Sequence, residues 1–232
     1  MRLAIMQPYF LPYVGYFQLM SAVDKFVILD DVNYINRGWV NRNRLLLNGT
    51  AHMFTVPLRN ASQNRLICDI ELVDGQIWRE KMIRTLRQAY GKTPSFPHIF
   101  GLFEQIINHP CLHLDEFLVN SLHKIATCLS LRVEIVNSSR IYGNTHLKGQ
   151  ERILDICRQE HAEIYINLIG GKDLYDAARF SEQGTRLSFL QPRPVNYPQG
   201  KGEFVPWLSI LDVLMCNAPD TMSRLLLEYD LT

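Results

Sequence analysis

The stretch Arg2-Leu3-Ala4-Ile5-Met6, followed by Gln7-Pro8-Tyr9-Phe10-Leu11-Pro12-Tyr13-Val14-Gly15-Tyr16-Phe17, decides the fold. Within it, Leu3-Ala4-Ile5-Met6 is an apolar run typical of a buried strand. The prolines that follow keep the chain extended or turning, because proline has no amide proton and disfavours helix in the residue before it. Apolar residues recur at helical spacing from Val14, and Lys25–Leu29 is a second apolar run. This order of strand, loop, helix and strand predicts a parallel crossover unit.

The rest of the chain continues the alternation of helix and strand around a helical middle. Asn48-Gly49, the strongest two-residue turn signal, predicts a hairpin between Arg44–Leu47 and His52–Pro57. The pattern further predicts strands at Leu66–Val73, Arg132–Asn137, Ile164–Ile169 and Arg186–Leu190, and helices at Gln76–Tyr90, Phe100–Asn108, Leu114–Leu129, Gly149–His161, Tyr175–Gln183, Leu208–Cys216 and Asp220–Glu228. We therefore expect one α/β domain over residues 1–232, with a mostly parallel sheet and a helical insertion at about residues 76–131.

The composition is that of an ordinary globular protein. Of 232 residues, 47% are hydrophobic and 20% are charged, and the formal net charge is +1. A charge so near zero argues against nucleic-acid binding driven by bulk electrostatics.

Cysteine spacing and hydropathy indicate the compartment. Five scattered cysteines with no CxxC pair suit reduced thiols better than a disulfide framework. Gln7 and Pro8 interrupt the apolar N-terminus, and no window reaches the length of a membrane span. We therefore expect a cytoplasmic protein with neither signal peptide nor membrane span.

The first candidate site is the junction between the first strand and the first helix. A helix that starts after a parallel strand directs unpaired amides toward the crevice, where an anion can bind close to Gly15. The alternative is that the aromatic residues here simply pack in the core. The candidate binding residues are Gln7, Tyr9, Tyr13, Gly15 and Tyr16.

The motif Tyr13-x-Gly15-Tyr16 resembles the His-x-Gly-His motif of the HIGH superfamily of nucleotidylyltransferases. That resemblance implies a Rossmann-like fold with a nucleotide at this junction. Tyrosines stand at both histidine positions, and a neutral phenol does not supply the charge of an imidazolium. Nucleotidyl transfer is therefore expected to be lost or altered.

The second candidate site follows the second strand. Asp30 and Asp31 could orient or deprotonate an amine, although adjacent residues of a strand point to opposite faces. Arginines could bind a phosphate or carboxylate through paired hydrogen bonds. The alternative is a solvated loop with surface ion pairs. The remaining candidates of this site are Asn33, Tyr34, Arg37, Asn41, Arg42 and Arg44.

The third candidate site is Gly170-Gly171, which follows the apolar strand Ile164–Ile169 and precedes Tyr175. Backbone amides without side chains can bind an anion, whereas the alternative is a simple tight turn. The G-x-G-x-x-G and P-loop patterns are absent, so the sequence supports neither a dinucleotide nor a Walker site, and it indicates no particular cofactor.

Two classes of chemistry find no candidate residues in the sequence. The seven histidines show no spacing typical of metal ligands, so we expect no zinc site. No G-x-S-x-G motif is present, and we expect none of the cysteines to act as a nucleophile.

Several blocks together resemble the WbqC-like protein family, from the first strand to the penultimate helix. They are residues 7–17, Asp30-Asp31-Val32-Asn33-Tyr34, Arg37-Gly38-Trp39-Val40-Asn41-Arg42-Asn43, Tyr165-Ile166-Asn167, Gly170-Gly171, Leu174-Tyr175-Asp176 and residues 208–214. The resemblance implies a bacterial protein of O-antigen, other surface-polysaccharide or specialised biosynthesis. It further implies transfer of glycine or another aminoacyl group onto an amino sugar.

These observations lead to one leading hypothesis and two alternatives. The leading hypothesis is an amide-forming acyl or aminoacyl transferase, in which Asp30 or Asp31 acts on the amine and Gln7 stabilises negative charge. The alternatives are a non-catalytic nucleotide- or ligand-binding module and a degenerate nucleotidylyltransferase. The expected partners are a small-molecule substrate, with a nucleotide-linked sugar as a candidate, and an acyl carrier protein as a further candidate; neither nucleic acid nor membrane is expected.

Overall fold

Ten strands and eight helices form the fold in the computed structural model, which describes residues 1–200 and 202–232. The strands are β1 (Arg2–Met6), β2 (Lys25–Ile28), β3 (Arg42–Leu47), β4 (Thr50–Thr55), β5 (Leu58–Arg59), β6 (Glu71–Leu72), β7 (Glu134–Val136), β8 (Ile164–Leu168), β9 (Arg186–Pro192) and β10 (Tyr229–Leu231). The helices are α1 (Val14–Ala22), α2 (Ile77–Tyr90), α3 (Phe96–Ile107), α4 (Leu114–Cys128), α5 (Gly149–Gln159), α6 (Ala177–Glu182), α7 (Ile210–Cys216) and α8 (Pro219–Leu225).

The central sheet has six strands in the order β10-β9-β8-β1-β2-β7. β1 pairs in parallel with both β2 and β8, and the parallel pairing continues to β7 on one side and β9 on the other. Only β10 is antiparallel within this sheet of the described chain. The prediction of an α/β fold with a mostly parallel sheet is therefore confirmed.

Both faces of the sheet are covered, as in other parallel sheets. Alternate residues of β1 point to opposite faces, so Leu3 and Ile5 pack with α5 and α6 whereas Ala4 packs with α1. The larger core lies on the α1 side and includes residues of α2, α3, α4 and α7.

The chain leaves the sheet after β2 and returns at β7. In between it forms the hairpin β3–β4, the short pair β5–β6, and the helices α2, α3 and α4. The predicted hairpin is confirmed, with Asn48 and Gly49 both at positive φ in its turn. The predicted strand at Leu66–Val73 is wrong: the chain makes a 3₁₀ turn at Ile67–Asp69 before the two-residue β6. No helix in the described part of the chain is long and apolar enough to cross a membrane.

Candidate functional site

The strand order has a reversal between β1 and β8, and a crevice opens at that point. From β1 the chain proceeds to β2 and β7 on one side, whereas β8, β9 and β10 lie on the other. In open parallel sheets, ligands bind at the carboxyl ends of the strands where the order reverses. The crevice here has a volume of about 570 Å³, which is sufficient for a small-molecule ligand.

Four segments of the chain line this crevice. They follow the carboxyl ends of β1, β2 and β8 or begin α5. Their residues are Ile5, Met6, Gln7, Tyr9, Leu29, Val32, Ile35, Gly149, Gln150, Arg152, Ile153, Asn167, Leu168, Gly170, Gly171, Leu174 and Tyr175. None of these described lining residues is a carboxylate, histidine, cysteine, serine, threonine or lysine. The polar groups are amides, phenols and one guanidinium.

Gln7 lies directly after β1 and lines the crevice. Its backbone carbonyl accepts a hydrogen bond of 2.9 Å from the hydroxyl of Tyr16, which fixes the chain as it leaves the strand. Its side-chain oxygen Oε1 is buried and has no partner among the described residues. A buried acceptor without a partner costs about 1–3 kcal/mol, so Gln7 is prepared to accept a hydrogen bond that the protein itself does not supply.

Asn167 orients a phenol on the opposite wall of the crevice. Its amide nitrogen donates to the hydroxyls of Tyr165 at 3.0 Å and Tyr175 at 3.1 Å, and its Oδ1 accepts from the amide of Leu168 at 2.7 Å. Burial raises the pKa of Tyr175, so this hydroxyl is neutral. Gly170 leaves this wall open, because no atom lies within 4 Å of where its Cβ would be.

The two adjacent acids after β2 are sealed in the interior. Asp30 has no exposed surface, and it accepts hydrogen bonds from the Ser138 hydroxyl at 2.8 Å and the Ser139 amide at 3.0 Å. Arg140 forms an ion pair with it at 3.2 Å. Asp30 therefore holds the chain that follows β7, and it does not line the crevice.

Asp31 pairs with Arg152, a residue of the first turn of α5. One terminal nitrogen of Arg152 donates to both carboxylate oxygens at 2.6 Å, another donates to the Asp31 carbonyl, and Nε donates to Asn144. The Ser139 hydroxyl also donates to Asp31. All the nitrogens of this guanidinium are thus engaged within the protein, and the pair fastens α5 against the end of β2.

The residues of the loop between β2 and β3 mainly stabilise that loop. The buried hydroxyl of Tyr34 donates to the Asn41 side chain at 2.7 Å, and Asn41 in turn donates to the Val56 carbonyl at 2.7 Å. Arg42 donates to the carbonyls of Gly38 and Arg37. Arg37 is exposed at a positive φ of 59°, and Asn33 is also exposed.

At the start of α1, the ring of Tyr13 covers the α-carbon of Gly15. A Cβ on Gly15 would lie 2.7 Å from the Tyr13 hydroxyl oxygen and closer still to the ring carbons. Gly15 thus gives room to this ring and does not open the helix amides to an anion. Tyr16 is fully buried, and burial raises its pKa well above the ordinary value.

The structure thus divides the residues that the sequence selected. Those that line the crevice together are Gln7, Tyr9, Gly170, Gly171 and Tyr175. Those that do not line it are Tyr13, Gly15, Tyr16, Asp30, Asp31, Asn33, Tyr34, Arg37, Asn41, Arg42 and Arg44. Three polar residues that line the crevice were not predicted from the sequence: Gln150, Arg152 and Asn167. The position of Arg152 could have indicated its role, because a charged residue four positions before Ile156 lies on the apolar face of the helix.

Sequence comparisons identify the family. The WbqC-like protein family matches residues 7–224. The chain belongs to the WbqC-like protein family. It is also 29% identical over 228 residues to the uncharacterized protein Rv1507c of Mycobacterium tuberculosis (strain ATCC 25618 / H37Rv), covering 94% of this chain and 96% of that protein. No solved structure matches the chain significantly.

Proposed function

We propose that this WbqC-like protein is an acyl or aminoacyl transferase that forms an amide on an amino sugar or a similar small acceptor, and that the crevice binds the acceptor. The observation that carries the proposal is the crevice itself, which lies at the strand reversal and has an apolar lining with a few amides, phenols and one guanidinium. The Gln7 side chain has both a donor and an acceptor, which suits a neutral, hydroxyl-bearing ring. The orphaned Oε1 of Gln7 provides one acceptor for such a ring or for its amine.

The chemistry requires positioning more than a nucleophile. The acceptor amine attacks the carbonyl carbon of an activated acyl group, the oxygen gains negative charge, and the leaving group departs as the amine loses a proton. Holding the two reactants together supplies much of the rate, and hydrogen-bond donors near the oxygen stabilise the charge. In this proposal the Gln7 amide and the Tyr175 hydroxyl are the donors nearest to the reaction.

Asp30 and Asp31 take a positioning role in this proposal. Both are sealed against Ser138, Ser139, Arg140 and Arg152, so neither is free to take a proton from a molecule in the crevice. The proton of the amine therefore leaves with the departing group or with water. Asp31 acts by holding α5, which carries Gln150 on the crevice wall, and Asp30 holds the chain that follows β7.

A second candidate is a binding module without catalysis. The specific observation in its favour is the lack of any base or nucleophile among the described lining residues. A degenerate nucleotidylyltransferase ranks below both, because Tyr13 and Tyr16 do not line the crevice. The strand order and the opening strand-loop-helix unit support a fold related to the HIGH superfamily, which is part of the proposal.

The family resemblance supports the wider setting that we propose. It is a cytoplasmic step in surface-polysaccharide, such as O-antigen, or specialised-metabolite biosynthesis. The acceptor would be a free or nucleotide-linked amino sugar. The acyl group would come from a small thioester or from an acyl carrier protein.

The test compares Gly170→Leu with Gly101→Leu. Neither glycine has an atom of the described protein within 4 Å of its Cβ position, so both positions have room for a Cβ, but only Gly170 lies on a crevice wall. Calorimetry with UDP-glucosamine and with glucosamine phosphate measures binding. Mass spectrometry of mixtures with acetyl and glycyl thioesters detects the added acyl group.

The outcomes separate the candidates. Binding and product formation in wild type and Gly101→Leu, both lost in Gly170→Leu, support the transferase. Binding without product in every mixture supports the module. Equal binding by the two variants would show that the crevice is not the acceptor site.

A further inference from the structure

A second concave site adjoins the crevice at Tyr9, which lines both spaces. Its volume is about 280 Å³. Three segments of the chain line it: the loop after β1, the start of β3 with the residues before it, and the approach to α7. We call it the aromatic pocket, and its lining consists of Tyr9, Pro12, Tyr13, Trp39, Asn43, Arg44 and Trp207.

The aromatic pocket presents ring surfaces to solvent. Trp39 is 43% exposed and Trp207 is 61% exposed, so part of each indole ring is left uncovered by the described protein. Tyr13 packs edge-to-face against Trp207 with the ring centroids 5.8 Å apart, which fixes one wall. Exposed rings that are held in place by their neighbours favour stacking with a flat ligand.

The charge of the aromatic pocket disfavours cationic ligands. Arg44 is the only ionised group among its described lining residues, and no carboxylate is present there. The guanidinium lies 5.5 Å from the centre of the Trp39 ring and donates to the Trp207 carbonyl at 3.2 Å. An aromatic pocket that already contains a cation repels a second one, so a negatively charged ligand fits better.

Hydrogen bonds tie the three segments of the aromatic pocket together. The Asn43 amide donates to the carbonyls of Phe10 and Leu11 at 3.2 and 2.8 Å, and the Ser209 hydroxyl donates to the Leu11 carbonyl at 2.7 Å. The Ser209 amide donates to the Arg44 carbonyl at 2.8 Å. The pocket is therefore formed before any ligand arrives.

The backbone of the aromatic pocket is also strained. Trp207 has a φ of 60°, and Leu11, whose carbonyl accepts from the pocket residue Asn43, has a φ of 45°. Large side chains rarely adopt this left-handed region, at a cost of about 1–3 kcal/mol each. Such strain persists where the surrounding structure enforces it, and it is concentrated at binding sites.

We infer that the aromatic pocket binds the nucleotide part of a substrate. A nucleobase stacks on the exposed indole and phenol rings, and a phosphate lies near Arg44. The inference rests on the proposed function in one respect: Tyr9 joins the aromatic pocket to the crevice, so a nucleotide here places its attached group toward the acceptor site. Two sources share this chemistry, the nucleotide of a sugar acceptor and the nucleotide of an acyl donor such as coenzyme A.

Tryptophan fluorescence gives a direct measurement. The chain has three tryptophans, of which Trp39 and Trp207 line the aromatic pocket, whereas Trp78 on α2 donates to the Val73 carbonyl away from it. Titration with UMP, dTMP, AMP and GMP, with excitation at the red edge of the indole band, should give saturable quenching. Because Trp207→Ala removes a ring on which the base stacks, its dissociation constant should be about tenfold higher than that of wild type, or more. Trp78→Phe, the matched control, should bind as wild type does.

Charge is tested separately from stacking. Arg44→Gln should weaken UMP binding severalfold while it changes uridine binding little, because only the nucleotide carries the phosphate. A comparison of UDP-glucosamine with coenzyme A then distinguishes the two sources, since the true substrate should bind more tightly than its own mononucleotide.

Mononucleotide binding tests the aromatic pocket independently of the proposed function of the crevice. Mononucleotides lack a sugar acceptor or acyl group, so Gly170→Leu should bind them as wild type does even if the crevice is blocked. Saturable quenching lost in Trp207→Ala supports the inference whether or not any transfer is detected. Absence of quenching by every mononucleotide, or equal affinity of wild type and Trp207→Ala, would overturn it and leave the crevice proposal untouched.

Discussion

The ring of Tyr13 lies over the α-carbon of Gly15, on the space that a side chain at residue 15 would fill. The same ring packs against Trp207. Gly15 therefore sets the position of one wall of the aromatic pocket, although it lies outside the lining itself.

Gly15→Ala should move the Tyr13 ring at little net cost in stability. Displacing the ring costs free energy, but alanine in a helix is favoured over glycine by about 0.5–1 kcal/mol. We expect the free energy of unfolding in urea to change by less than about 1 kcal/mol, with a clear change in Trp207 fluorescence in a Trp39→Phe/Trp78→Phe background. In a Tyr13→Ala background the same change should be stabilising. A large loss of stability with unchanged fluorescence would contradict this view.

Asp31→Ala should destabilise the protein by about 3–5 kcal/mol, because it leaves the buried Arg152 guanidinium without its carboxylate. Glu151→Ala is the matched control on the same helix. Glu151 pairs with Arg179 at the surface and should cost less than about 1 kcal/mol. Urea denaturation measures both variants.

The double variant Asp31→Leu/Arg152→Met distinguishes an unpaired charge from lost packing. Removing both charges should recover much of the stability that Asp31→Ala loses. An Asp31→Ala variant as stable as Glu151→Ala would show that the pair does not fasten α5.

Gln7→Met should leave stability unchanged or raise it by up to about 1 kcal/mol, because it removes a buried acceptor that has no partner. The same change should weaken binding in the crevice about tenfold if a ligand satisfies that acceptor. Gln18→Met is the control. The Gln18 amide donates to the carbonyls of Leu225 and Glu228, so its loss should cost about 1–3 kcal/mol. Greater destabilisation by Gln7→Met than by Gln18→Met would argue for a structural role of Gln7.

Asp212 predicts a pH dependence of stability. It is fully buried on α7 and accepts hydrogen bonds from Tyr90, Tyr197 and Gln199. Burial raises its pKa, so the folded state binds the proton more tightly than the unfolded state does. The stabilisation that Asp212 contributes to the folded state is therefore fully present below the ordinary pKa of aspartate, and it is lost as the pH rises through the raised pKa of Asp212.

Asp212→Asn removes this dependence. Urea denaturation at a series of pH values measures the free energy of unfolding of both proteins. The stability of wild type relative to Asp212→Asn should fall as the pH rises from the ordinary pKa of aspartate to the raised pKa of Asp212. Tyr197→Phe removes a donor that lowers the pKa of Asp212, so the fall should move to higher pH. A difference between wild type and Asp212→Asn that is constant with pH would contradict the assignment.

Local sequence patterns predicted most helices and strands, but they did not predict which strands lie next to one another in the sheet. Apolar runs predicted β1, β2 and β8, and the Asn48-Gly49 turn predicted the β3–β4 hairpin. β10 was not predicted, because three residues carry too little pattern to identify a strand. The order of the strands, and thus the crevice, depends on contacts between distant segments.

The two acids after β2 show most clearly what a local sequence pattern does not predict. Asp30 and Asp31 follow a strand in the way that ligand-binding acids do, yet their partners are more than a hundred residues away in sequence. Whether a carboxylate meets a substrate or an arginine of its own chain depends on that distant partner. Gln7 and Gly170, by contrast, lie on the crevice because they come directly after adjacent strands, and Tyr175 is held there by its hydrogen bond with Asn167.

The Asp31–Arg152 pair has a kinetic consequence. A helix fastened by a buried ion pair does not swing aside to admit a ligand, so α5 and the strand ends remain in place during entry. Association should therefore be a single exponential whose rate rises in proportion to ligand concentration, without the plateau of a slow opening step. Loosening the pair should introduce that plateau before it weakens equilibrium affinity.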